Sequence, residues 1–149
     1  IVAWAEETGA TYVLSENEPT GYFNRKYISR KSELDSNTGD ANLTNPNNYR
    51  AIRFADVLLM AAEALNRGGV SDSRAQTYLN RVRERAFGNA DNNVSATGGS
   101  LTDAIYHERR VELVGEGHRF FDLVRTGTAA SKIDGFEIGK HELFLIPLI

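Results

Sequence analysis

Read for its apolar and polar positions, the chain is quiet over its first third and regular from about Ala51 onward. From Ile52 to Arg67 apolar residues fall on nearly every side, which predicts a buried helix. Its polar exceptions, Arg53, Asp56, Glu63 and Arg67, lie along one stripe, and Gly68-Gly69 supplies the stop. Ser71 or Asp72 can cap a second helix running to about Ala86. There Ala75, Tyr78, Leu79, Val82 and Ala86 recur at alternating spacings of three and four, the mark of one buried face. Phe87 to Gly99 reads as a Gly/Asn/Asp loop. Ser100 with Asp103 resembles a capping box, which predicts a third helix to about Val114. Gly115-Glu116-Gly117 breaks it, and His118–Arg125 predicts a short helix ended by Gly127.

The flanks change period. Residues 1–48 are expected to be irregular, with an apolar segment at Thr11–Leu14 and an extended one at Tyr22–Ile28. A surface loop should then run from Ser32 to Asn48. Residues 49–127 form the helical part. Residues 128–149 are expected to hold two short extended segments around Gly139-Lys140. The fold class is therefore mainly α, with short β segments near both ends, organised as a single region over 1–149.

Composition narrows the function classes. With 149 residues, 41% apolar and 25% charged, the chain can bury a core without staples. A net charge of −3 lacks the basic excess that drives nucleic-acid binding. There is no cysteine, so thiol catalysis and cysteine-based zinc sites are excluded. No apolar run reaches the ~18 residues of a membrane span. The abrupt start at Ile1-Val2-Ala3-Trp4 and the close at Ile146-Pro147-Leu148-Ile149 are those expected of a piece of a longer protein.

The sharpest anomaly lies in the third helix. At 100° per residue its apolar face consists of Leu101, Ala104, Ile105, Val111 and Gly115, and Glu108 and Glu112 fall in the middle of it. A buried carboxylate without a partner costs several kcal/mol, so both must be paired, protonated, metal-bound or open to a cleft. Paired carboxylates suit acid–base or metal chemistry. However, neither Glu-x-x-His nor His-Glu-x-x-His occurs in this sequence. The structural alternative has ample material, since Arg53, Arg67, Arg109, Arg119 and Arg125 all lie in helical segments. We therefore expect a buried Arg–Glu network and assign no catalytic residue.

Other candidates point the same way. Glu116, Arg119, Asp122 and Arg125 recur every three residues and can pair along a helix. Arg81, Arg83 and Arg85 read as a solvated or partly paired face. Asp35–Asn42 is oxygen-rich, but Asp40 stands where a calcium loop needs glycine. His107, His118 and His141 have no metal-ligand spacing, so neither a metal nor a cofactor is expected. Trp4, Tyr12, Tyr22, Phe23 and Tyr27 could stack on sugar rings, although core packing is the commoner use of such residues.

Two runs resemble a known family. Arg53-Phe54-Ala55-Asp56-Val57-Leu58-Leu59-Met60-Ala61-Ala62-Glu63-Ala64 is similar to a helix typical of SusD/RagB proteins. The run from His107 through Glu108-Arg109-Arg110-Val111-Glu112 to Asp122-Leu123-Val124-Arg125 resembles that family's most distinctive segment. Thr20-Gly21-Tyr22, Lys26-Tyr27 and Leu145-Ile146-Pro147 follow in the family's order. The resemblance implies the C-terminal portion of an outer-membrane nutrient-binding lipoprotein with a helical, tetratricopeptide-like fold, 52–67 and 72–86 forming one helix pair. It implies non-catalytic binding of oligosaccharide, or in some members peptide, at the cell surface. It also implies delivery to a TonB-dependent outer-membrane transporter, and a missing N-terminal part of the same protein. No ligand-contact residue carries over onto numbered positions. The alternatives are a helical-repeat module that binds protein partners, and a glycan-processing enzyme using Glu108 and Glu112.

Overall fold

The structure is a computed structural model that describes residues 48–143 continuously, together with 4–5, 10–11 and 25–27. Two compact units are present, residues 1–51 and 52–149. In the first, β1 (Trp4–Ala5) and β2 (Ala10–Thr11) pair antiparallel, with Trp4 opposite Thr11. A 3₁₀ turn at Arg25–Tyr27 stands within the stretch expected to be extended, and the Tyr27 ring stacks on Tyr49 at 6.1 Å. The expected loop from Ser32 lies outside the described residues up to Asn47.

The second unit is helical, as the periodicity predicts. Helix α1 (Phe54–Arg67) begins two residues later than expected, because Arg53 is extended (φ −129°, ψ 161°) and Ile52 lies in a bend. Its end is a Schellman closure, in which the Val70 amide donates to the Leu65 carbonyl at 2.9 Å and the Gly69 amide to that of Asn66 at 3.0 Å. Gly69 carries φ 64° there, a conformation that L side chains rarely adopt. Helix α2 (Asp72–Phe87) starts at Ser71, whose hydroxyl accepts from the Arg74 amide at 3.3 Å.

Helix α3 (Gly98–Glu112) does not start at the expected Ser100–Asp103 box; Thr97 is its N-cap and makes no side-chain cap bond. The cap comes from elsewhere. The Asp72 carboxylate accepts from the Gly98 amide at 2.7 Å and from the Asn66 amide group at 2.7 Å. Thr102 in turn donates to Asn66 Oδ1 at 2.5 Å. Both Asp72 interactions hold its carboxyl below the ordinary range, the Gly98 bond first. The loop from 88 to 97 is tied to α2 as well. Asn80 exchanges two bonds with the Val94 backbone (3.0 and 2.8 Å) and Gln76 donates to the Ala96 carbonyl (2.8 Å). These ties tuck Val94 and Ala96 against the core and return α3 along α1.

The core is Leu58, Leu59 and Ala62 from α1, Ala75, Leu79 and Val82 from α2, and Leu101 and Ile105 from α3. Helices α4 (Arg119–Arg125) and α5 (Ala129–Lys132) follow. Over the described part of the tail, residues 128–143, the expected extended segments are absent. Thr128 to Lys132 contains ready helix formers and makes α5. Beyond it, side chains take backbone donors that a hairpin would need. Glu142 accepts from the Gly139 amide (2.8 Å), which holds its carboxyl below the ordinary range, and His141 Nδ1 accepts from the Glu137 amide (2.9 Å). Residues 144–149 lie outside the described residues.

All-round hydrophobicity in α1 does not mean all-round burial. Opposite its buried face, Phe54, Val57, Met60 and Ala64 form an exposed stripe, with Val57 at 43% and Met60 at 44% exposure. Val111, placed by periodicity on the buried face of α3, is also exposed, as is Gly115. Contiguous apolar patches of this kind promote association. We expect the isolated chain to dimerise, aggregate or capture a polypeptide that covers the Val57, Met60 and Ala64 part of the stripe, as read by light scattering. Val57→Glu with Met60→Lys should shift it toward monomer. A clean wild-type monomer with no companion would contradict this.

Candidate functional site

Twelve charged side chains from four helices, the residue before α1 and the segment after α3 form three sets of ion pairs. The centre of the first is Arg109, buried to 5% exposure with Asp56, also at 5%. Arg109 Nη1 donates to Asp56 Oδ1 at 2.7 Å and Nε to Asp122 Oδ2 at 3.1 Å. Asp122 also accepts from Arg125 Nε at 2.8 Å. Arg125 then grips Glu63 with both terminal nitrogens, at 2.6 and 2.9 Å, and Arg67 and Tyr106 add longer bonds of 3.3 Å to the same carboxylate. Three carboxylates thus alternate with three guanidiniums.

The electrostatics follow from that alternation. Burial pushes the Glu63 carboxyl up, but the bonds and charge of Arg125, with help from Arg67 and Tyr106, outweigh it and hold the group below the ordinary range. Arg125 is raised by its bonds to Glu63 and Asp122 against the opposing effect of burial. Tyr106 is raised, by burial and then by the neighbouring Glu63 charge.

The second set joins the start of α1 to the end of α3. Arg53 donates from Nη1 to Glu112 Oε1 at 2.5 Å and from Nη2 to the Glu112 carbonyl at 2.6 Å. It also forks onto Glu116 at 2.7 and 2.9 Å. Burial lowers the Arg53 pKa, yet the Glu116 and Glu112 bonds leave it raised overall. Arg85 reaches the same Glu112 oxygen from α2. In the third set Arg83 Nη1 donates to Glu108 Oε2 at 2.5 Å while its Nε holds the Asn92 carbonyl at 2.7 Å. Among the described residues, no buried side-chain nitrogen or oxygen lacks a hydrogen-bond partner.

The expected Arg–Glu network is therefore present, with different partners in part. Arg53 does bind Glu112, as the sequence suggests. Glu108 pairs with Arg83, which periodicity placed on the solvated or partly paired face of α2, and Arg119 makes none of these bonds. Glu116 pairs with Arg53 just before α1, whereas of its own three-residue series only Asp122 and Arg125 join. Arg109, buried together with Glu108, is the residue that sequence reasoning undervalued. The available signal was the surplus of carboxylates on the buried side of α1, where Asp56 and Glu63 both needed cations. Because each of Glu108 and Glu112 accepts from a guanidinium, neither is the open carboxylate pair that acid–base chemistry requires.

The remaining candidates are scattered. Tyr27 is half-buried against Tyr49, while Tyr12, Tyr22, Phe23 and Asp35–Asn42 lie outside the described residues. Trp4 stands in β1. His107 is exposed and His141 packs edge-on against Phe136 at 5.7 Å. Among the described residues, no group of three or more histidines or carboxylates could hold a metal. Two open clefts flank the ion pairs. One, about 570 Å³, is lined by Met60, Glu63, Ala64, Arg67, Arg109 and Arg125. The other, about 420 Å³, lies between α1 and α2 beside Arg53, Phe54, Arg81 and Arg85.

Substitutions test the ion pairs. Arg109→Ala strands the buried Asp56 carboxylate, while Asp122 keeps Arg125, and should destabilise the fold by roughly 3–5 kcal/mol in chemical denaturation. Asp56→Leu combined with Arg109→Leu should restore part of that loss, because replacing both partners removes the stranded charge. Glu108→Ala should cost about 3 kcal/mol, near the lower end, since Arg83 retains some water. Glu112→Ala should cost less, about 1–2 kcal/mol, because Arg53 keeps Glu116 and Arg85, 61% exposed, rehydrates; Glu112→Gln should cost least.

The depressed Glu63 pKa gives a pH test. Its contribution is complete above the ordinary value of 4.5 and is lost as pH falls through the lower folded value. Melting temperature should therefore drop below about pH 4.5, and Glu63→Gln should flatten that acid limb. An unchanged limb in Glu63→Gln would exclude the assignment.

Comparison with known proteins gives a consistent answer. The model of the SusD family matches residues 2–142. One SusD-like protein of Formosa agariphila is 36% identical over 108 residues, covering 68% of this chain and 21% of its own length. Another is 33% identical over 158 residues, covering 85% and 30%. The crystal structure of a SusD homologue from Bacteroides thetaiotaomicron superposes with a TM-score of 0.53 at 46% identity, over 57% of this chain and 18% of that one. The chain thus spans under a third of the length of these relatives.

Proposed function

We propose, from the premise that the chain belongs to the SusD family, that it is the C-terminal portion of a nutrient-binding protein that captures oligosaccharide without chemically altering it. The observation that carries this reading is the fate of the Glu-Arg-Arg run. Every buried carboxylate in it, and the buried Arg109, is spent on ion pairs that fix helix positions. An enzyme using Glu108 and Glu112 would need at least one of them free for a proton or a glycosyl group, and both are held.

In this reading the whole protein is a lipid-anchored component of the outer membrane, exposed at the cell surface. It binds glycan and passes it to a TonB-dependent transporter. No helix among the described residues is long and apolar enough to cross a membrane. The helical region documented here supplies a stiff scaffold, and ligand loops are carried mainly on other parts of the protein.

The test is a glycan array on the protein expressed from its full reading frame, together with affinity capture of an outer-membrane transporter from the same cells. Oligosaccharide binding without turnover, and co-purification of a transporter, are expected. Hydrolysis products, or binding to neither, would overturn the reading. The 149-residue chain alone should bind neutral oligosaccharide in the millimolar range at best, about −4 kcal/mol. Micromolar binding by calorimetry would place the principal site within these residues, with Trp4 and Tyr22 the first to substitute.

A further inference from the structure

The cleft between α1 and α2 differs from the other charged surfaces in how its charges balance. Arg53 and Arg85 on its wall are neutralised from behind by Glu112 and Glu116. Arg81 is not. It is exposed, and its guanidinium lies over the Phe54 ring at 5.0 Å from the centroid, with no carboxylate or other acceptor bonded to it among the described residues. A guanidinium lying over an aromatic ring still carries N–H donors in a fork suited to a carboxylate.

The rest of the cleft sets the size and body of a ligand. No carboxylate lines it, its volume is about 420 Å³, and its floor is apolar, formed by Leu58 and Val82 beside the Phe54 ring. That volume lies within the usual range for small-molecule sites, about 300–1,000 Å³. One surplus cation favours a single negative charge over a phosphate dianion or a polyanion. The first turn of α1 adds a favourable dipole end at the same place. We propose that this cleft is a subsite for one ring bearing one carboxylate, the uronate unit of an acidic oligosaccharide. The choice of a sugar over another carboxylic acid rests on the glycan-binding reading above.

The test titrates the full chain at low ionic strength with D-glucuronate, with D-glucose, and with a short glutamate-containing peptide, followed by NMR chemical shifts. Glucuronate should shift the amides around Phe54 and Arg81 with millimolar affinity, and glucose should not. Arg81→Gln should weaken glucuronate roughly tenfold, the scale of one charge-assisted bond. Added salt should weaken it as well. Phe54→Ala, at an exposed position, provides a second variant and should also weaken it. Glucuronate affinity unmoved by Arg81→Gln, or a tighter fit of the peptide in this cleft, would overturn the proposal. If neutral oligosaccharides bind the chain while glucuronate ignores Arg81, only the subsite falls. If no saccharide of either kind binds the chain or the full-length protein on the array, the glycan reading falls with it.

Discussion

A guanidinium taken out of water must be met on its donors by carboxylates, and Arg109 is where this helical unit meets that demand. It stands between Asp56 of α1 and Asp122 of α4, so three helices are positioned by one side chain. Moving any of the three by a few ångströms would leave a buried charge uncompensated, at a cost comparable to much of a domain's net stability. Apolar contact alone would not impose this, because hydrophobic burial is nondirectional and tolerates sliding. The planar Arg fork does not, since its bonds fail once the geometry is lost.

The other ion pairs extend that logic around the core. Arg53 ties the first residues of the unit to Glu112 and Glu116 beyond the end of α3, and Arg125 ties α4 to Glu63. Arg83 ties α2 to Glu108 while also holding the 88–97 loop through Asn92. The small apolar core of Leu59, Leu79, Leu101 and Ile105 therefore supplies cohesion, and the charges supply register. A scaffold built this way is stiff where its helices meet and leaves its surface free. On α2 that surface includes Arg81, and on α1 it includes an apolar stripe that nothing among the described residues needs for its own packing.

Function follows from what the charges are not doing. A carboxylate held by a guanidinium gives up a charge-assisted bond if it is protonated or turned toward a metal. The run that looks most like a reactive constellation in the sequence is thus the part of the molecule most completely committed to architecture. That commitment supports the binding role proposed above over a catalytic one.

The sequence by itself determined the local features whose causes are local. The spans of α1 and α2, the Gly68-Gly69 stop, the Ser71 cap and the buried stripe of α2 all follow from neighbouring residues, and the structure matches them to within two residues. The anomaly at Glu108 and Glu112 was legible too, because a carboxylate on an apolar face demands a partner wherever it folds. Only the tertiary structure could decide which partner. Arg83 and Arg119 look alike along the chain, and the return path of α3, set by Asp72 capping Gly98 from another helix, brings Arg83 to Glu108 and does not give Arg119 that role. The exposed stripe on α1 was hidden for the same reason. Hydrophobicity says which surfaces could be buried, whereas the packing of α2 and α3 on a single face says which ones are.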